Sequence, residues 1–182
     1  MDVFPIGHYV GERHPDGTHL VRVGLAHLTM TPDEFGVWVL AHHDGPTWTV
    51  DDLRAVAGNA GLSAAALDRL VDAGALAVVA DQRSFAGRYR LEPLLVGLGN
   101  TREHPETYAV GLPGLPPVAM VDEDSYELWQ WAALAPSLWH TCETRAKVSD
   151  DAVRAEELVG GVLAGIRPLL ANSCAYLDRA RA

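Results

Sequence analysis

Apolar and polar positions are most informative over Gly61 to Leu91, GLSAAALDRLVDAGALAVVADQRSFAGRYRL. Ala66, Leu67, Leu70 and Val71 recur at helical spacing, and Gly74 then supplies a residue able to end a helix in left-handed backbone. Leu76 to Val79 reads as a strand and Asp81-Gln82-Arg83-Ser84 as a polar turn. Beyond Gly87, Arg88-Tyr89-Arg90-Leu91 reads as a second alternating strand. The pattern predicts helix, strand, turn, strand.

Upstream, Phe4 to Glu12 and His19 to Met30 alternate loosely around His14-Pro15-Asp16-Gly17, whose Pro, Asp and Gly suit a turn, so a β-hairpin is expected. Thr31-Pro32-Asp33-Glu34 opens a first helix with a cap, a proline at its first position and two acids at the positive end of the dipole. Phe35, Val37, Trp38, Leu40 and Ala41 follow, and His42 to Pro46 ends it. Thr49-Val50-Asp51-Asp52 starts a second helix with Leu53, Val56 and Ala57 inward, broken at Asn59-Ala60-Gly61. Val96 to Val118 is rich in Gly and Pro and reads as a connector with one short strand at Tyr108-Ala109-Val110.

The first helix recurs downstream. At an offset of 91 positions, Asp33 to Ala41 lies over Asp124 to Ala132, with Trp38 on Trp129, and at the same offset Trp48 falls on Trp139. The expectation is a tandem of two related units, the second degenerate. Helix signals run from Asp150 to Gly165, Arg167-Pro168 should break that helix, and Leu169 to Arg179 should form the last one, without a strand pair. The domains expected are residues 1–98, a connector 99–120, and a second unit 121–182.

The chain has 182 residues, a net charge of −10 and 48% hydrophobic residues. That composition suits a globular protein, and the acidity opposes non-specific attraction to phosphate. No apolar run is long enough to cross a bilayer, and no basic region precedes an apolar stretch near Met1, so a cytoplasmic location without membrane association is expected. One lysine, Lys147, stands against thirteen arginines, as GC-rich bacterial genomes favour. Cys142 and Cys174 are too few for a disulfide framework or zinc site. His42 and His43 are adjacent and diverge on a helix; His140, Cys142 and Glu143 lack a second ligand pair. No G-x-S-x-G, phosphate loop or complete G-x-G-x-x-G occurs, and the paired acids sit at helix starts. Neither an enzyme nor a cofactor is expected.

The sequence LDRLVDAGAL at 67–76, with Asp81, Arg83 and RYRL at 88–91, resembles the recognition helix and wing of winged-helix bacterial regulators of the MarR kind, over roughly residues 31–95. That resemblance implies a helix in the major groove and wing arginines on the DNA backbone or minor groove. Ser63, Arg69, Arg83, Arg88 and Arg90 are then the nucleic-acid residues. Ala64, Ala65 and Asp68 offer little to base edges, however, and Asp68 and Asp72 would face phosphate.

The hairpin at 4–30, the helix ending in Asp44-Gly45 and the following Thr49-Val50-Asp51-Asp52-Leu53 resemble PqqD-like recognition elements. Those modules place a β-hairpin before the helices and bind a leader peptide as an added strand. The sequence thus points to an α+β, mostly helical tandem of winged-helix-like units, a non-catalytic regulatory adaptor for a protein or peptide partner. Trp48, Trp139, Leu112 and Leu115 are the candidate contacts. A DNA-binding transcription regulator is the alternative, and a homodimer is compatible with either.

Overall fold

The turn expected at His14–Gly17 joins β2 (His8–Arg13) to β3 (Thr18–Val23), and a second, two-residue turn at Gly24-Leu25 leads to β4 (Ala26–Met30). The result is an antiparallel meander β2-β3-β4 rather than a single hairpin. Gly24, at φ 59°, takes the backbone that such a tight turn demands. The computed structural model describes residues 1–149 and 152–181. Helix accounts for 41% and strand for 26%, which makes the fold α+β with several small sheets and corrects the expectation of a mostly helical chain. Contacts divide it into two compact units, residues 1–43 with 47–80 and residues 44–46 with 81–182. The division falls earlier than the domain limits 98 and 120 drawn from composition.

In unit 1, β1 (Val3–Pro5) leads into the meander, and α1 (Pro32–Leu40), α2 (Val50–Asn59) and α3 (Ala64–Asp72) follow. Thr31 and Glu34 form a reciprocal capping box at the start of α1, and Thr49 and Asp52 form another at α2. The helices bury Val37, Trp38, Leu53, Ala66, Leu67 and Leu70, and Phe4 of β1, Ile6 just after it and Val21 of β3 are buried with them. At about 1.5–3 kcal/mol for each large apolar side chain, this burial outweighs the modest propensities of such short helices. After Gly74, at φ 75°, the chain enters β5 (Leu76–Val78), which pairs antiparallel with β1, Phe4 opposite Ala77.

Residues 82–88 form a helix, α4 (Gln82–Arg88), in place of the expected turn and the start of a wing strand. Asp81 accepts a hydrogen bond from Ser84 N at 2.7 Å, and Phe85 and Ala86 are buried. Asp and Ser serve helix caps as readily as turns, and the buried apolar pair decides between them. The next strand, β6 (Tyr89–Pro93), pairs with β10 (Ala175–Arg179), so β5 and β6 do not form a wing hairpin.

Unit 2 repeats the plan of unit 1. After α4 and β6 comes a meander of β7 (Val96–Gly99), β8 (Tyr108–Gly111) and β9 (Ala119–Val121), built from the supposed connector. Then follow α5 (Glu123–Ala132), α6 (Leu138–Val148), α7 (Ala155–Ala171) and β10, which closes on the strand ahead of the meander as β5 does. The second unit is therefore not degenerate: strand, meander, three helices and closing strand recur in order. Helix α7 runs through Pro168, and 175–179 is strand where a last helix was expected. Proline there forfeits a bond only in the final turns, while Ile166, Leu169 and Leu170 are buried around it. The helix starts at Ala155 rather than in the early 150s; the expected start at Asp150-Asp151 lies outside the described residues.

Candidate functional site

The residues proposed for DNA reading are largely held by other side chains. In unit 1, Arg69 Nε donates to Glu34 Oε1 at 2.7 Å, tying α3 to the start of α1. Burial pushes the Glu34 carboxyl up, but the hydrogen bonds from Arg69 and from the backbone and side chain of Thr31, with the charge of Arg69, together outweigh it and hold the pKa below its ordinary value. Ser63 precedes α3 without capping it through its side chain, and its backbone N–H donates to Asp33 at 3.2 Å. Asp68 and Asp72 are exposed on α3, and Arg54 pairs with Asp68 at 3.3 Å.

The three arginines assigned to a wing occupy unit 2. Arg83 and Arg88 are exposed on α4: Arg83 lies 4.4 Å over the ring of Trp139, and Arg88 lies 5.7 Å from that of Tyr89. Arg90 is mostly buried on β6, paired with Glu92 and donating to Arg179 O at 3.1 Å. These positions do not form the basic hairpin that the MarR-like resemblance implies.

Among the candidate partner contacts, Trp48 stacks on His43, centroids 4.0 Å apart and planes 4° from parallel. Its counterpart Trp139 donates Nε1 to Glu143 Oε1 at 3.0 Å beneath Arg83. Both tryptophans are half-buried and belong to the packing of their units more than to an open surface. Leu112 and Leu115, by contrast, are exposed in the loop between β8 and β9, as is Val118, and Met120 is exposed on β9 itself.

Sheet edges provide the most regular open surface in unit 1. Because the Gly24-Leu25 turn closes on Val23 opposite Ala26, hydrogen-bonded pairs alternate from that point. His27 and Thr29 thus turn their peptide N–H and C=O groups away from β3. Both residues are exposed, and β4 is an outer strand of its sheet. Sequence reasoning missed this edge because it merged β3 and β4 into one strand; Val23-Gly24-Leu25 was the available signal.

Of the possible chemical clusters, His140 Nδ1 stands 3.4 Å from Glu143 Oε2, while Cys142 is fully buried beside them on α6. Burial pushes both cysteine thiols up to about 11. Among the described residues, no three His, Cys, Asp or Glu side chains come together as a cation would require, and no helix is long and apolar enough to cross a membrane. No family model matches the chain, and neither a curated protein nor a solved structure matches it.

Proposed function

We propose that this chain is a non-catalytic binding protein, a regulatory adaptor of bacterial, cytoplasmic type that takes an extended segment of a protein or peptide partner as an added strand along β4. The observation that carries the reading is the outward row of peptide groups at His27 and Thr29, on a three-stranded sheet ahead of three helices. The PqqD-like resemblance implies a β-hairpin ahead of the helices, a simpler form of this order, and β5 and β6 pair with β1 and β10 rather than with each other as a wing. Strand addition draws its affinity from main-chain hydrogen bonds, and side-chain pockets alongside supply selectivity. In unit 2, exposed Leu112 and Leu115 offer apolar contacts beside the equivalent outer strand β9.

The DNA-regulator reading loses support from the same geometry. Arg69 and Arg90 are engaged by Glu34 and Glu92, Arg83 lies over Trp139, and the exposed carboxylates of Asp68 and Asp72 are on the would-be recognition helix.

Immobilised chain tests the proposal. A stoichiometric protein or peptide retained at moderate salt, and lost by Thr29→Pro, supports strand addition, because proline removes a donor while remaining tolerable on an outer strand. Retention of duplex DNA with an affinity that falls steeply as salt rises, and that Arg83→Ala or Arg88→Ala weakens, overturns it in favour of the regulator.

A further inference from the structure

Helices α5 and α6 of unit 2 leave a groove of about 680 Å³ between them. Its floor is Leu128, Ala135 and Thr141, all buried, and its rim carries Trp131, Leu134 and Val148 at 57%, 74% and 75% exposure. Large apolar side chains this exposed, gathered around one concavity, are the usual mark of a surface completed by another molecule. The spacing explains how both walls arise: Leu128, Trp131 and Ala135 share one face of α5 and the turn after it, and His140, Thr144 and Val148 fall at intervals of four on α6.

Two features identify the occupant. Projecting groups and the hollow that would receive them lie on the same patch, as a two-fold contact requires, where each surface must complement itself. The charges are self-complementary too. Glu127 lines the α5 side of the groove and Arg145 with His140 lines the α6 side, so a two-fold rotation brings the acid of one copy towards the bases of the other. Arg145 is already fixed by Asp124 at 2.9 Å, which holds it at the groove.

We infer that this groove is the interface of a two-fold homodimer, in which Trp131 and Leu134 of each copy enter the α5/α6 groove of the other and Glu127 meets Arg145 across the axis. The inference stands independently of strand addition in unit 1.

Sedimentation velocity on the full chain, from about 1 to about 100 µM, tests it. The expected result is a reversible dimer. Trp131→Glu and Leu134→Glu, both at exposed positions, should sediment as monomers and unfold cooperatively with a midpoint that no longer depends on concentration. Glu127→Arg and Arg145→Glu should each weaken the dimer about tenfold, and the double exchange should recover most of that loss. A monomer at about 100 µM overturns the inference, as does a dimer that both glutamate variants leave intact, or a double exchange weaker than either single one.

Discussion

Trp38 and Trp129, ninety-one positions apart, each donate an indole N–H to the closing ladder of their own unit, though to opposite strands of it. Each is buried in the first helix after a meander; Trp38 Nε1 donates to Ile6 O at 3.2 Å and Trp129 Nε1 donates to Cys174 O at 3.3 Å. Both acceptors belong to the same feature of the fold. Ile6 N donates to Ala75 O and Leu94 N donates to Cys174 O, extending the two-stranded ladders β1-β5 and β6-β10 just past their ends. In each unit, an indole therefore anchors the first helix to the ladder that closes the fold. The N-caps Thr31 and Asp122 stand at the same separation.

Replacing either indole by a phenyl ring removes that donor and part of the buried volume. Trp38→Phe and Trp129→Phe should each lower stability by about 1–3 kcal/mol in urea unfolding followed by circular dichroism. A loss within error for one variant would show that its indole is not an anchor.

The helix ends before the closing strands give a prediction of opposite sign. Gly74 at φ 75° and Ser173 at φ 52° hold equivalent places, and in each case the next residue's N–H reaches back to Leu70 O or Leu169 O. Serine carries a β-carbon into backbone that suits glycine. Ser173→Gly should therefore raise the unfolding free energy by about 0.5–1 kcal/mol, and Gly74→Ser should lower it by a similar amount, both read from urea midpoints.

The parts of the fold legible in the sequence were those with local causes. The caps at Thr31 and Thr49 and the stop at Gly74 each depend on neighbours within a few positions, and the recurrence of Trp38 at Trp129 is visible by aligning the chain on itself. What escaped was non-local or chemically ambiguous. Nothing near Tyr89–Pro93 announces a partner at Ala175–Arg179, so β6 was joined to β5 as a wing. Gly97, whose missing β-carbon leaves room for the Tyr126 ring, and Gly111, close to the Pro117 backbone, made a small sheet resemble a linker. Helix α6, capped by Ser137, carries His140, Cys142 and Glu143, residue types that read as metal ligands more readily than as a helix. The candidate edge at His27 and Thr29 was obscured by the same merging of strands, and the arginines assigned to DNA could not be seen to have carboxylate or aromatic neighbours.

Gly97 allows a steric test of unit 2. A β-carbon there would collide with the Tyr126 hydroxyl and come within 3.1 Å of the Trp129 ring, while Tyr126 is itself stacked on Tyr108 at 4.8 Å. Gly97→Ala should cost about 1–3 kcal/mol in urea unfolding. Gly99→Ala meets no atom within 4 Å but sits at φ 76°, so its smaller loss, about 1 kcal/mol, reports backbone strain alone.

His42 should make unit 1 sensitive to acid. Burial lowers its pKa below the ordinary 6.5, although its ring bonds Trp38 O at 2.9 Å and lies edge-on to the Trp38 ring. The unfolded chain then takes up the proton more readily than the folded one. The stabilising contribution is complete above pH 6.5, declines as pH falls through that value, and stops changing below the folded pKa. Thermal unfolding between pH 7.5 and pH 5 should show a midpoint falling with acid, and His42→Gln should flatten that slope; an unchanged slope would place its origin elsewhere.

The two cysteines should behave as packing groups. Cys142 and Cys174 are fully buried, and loss of solvation pushes each thiol up to about 11, so the thiolate is scarce at neutral pH and poorly reached by reagent. Arg145 favours the Cys142 thiolate, but its effect is smaller than that of burial. Folded chain treated with an aromatic disulfide reagent at about pH 8 should release almost no chromophore, and two equivalents should appear together once denaturant unfolds it. Rapid release from Cys142 in the folded state, abolished by Cys142→Ala, would mean that α6 opens readily. That motion would also disturb the groove wall carrying Thr141, Thr144 and Val148, so the same experiment probes the rigidity of the proposed dimer face.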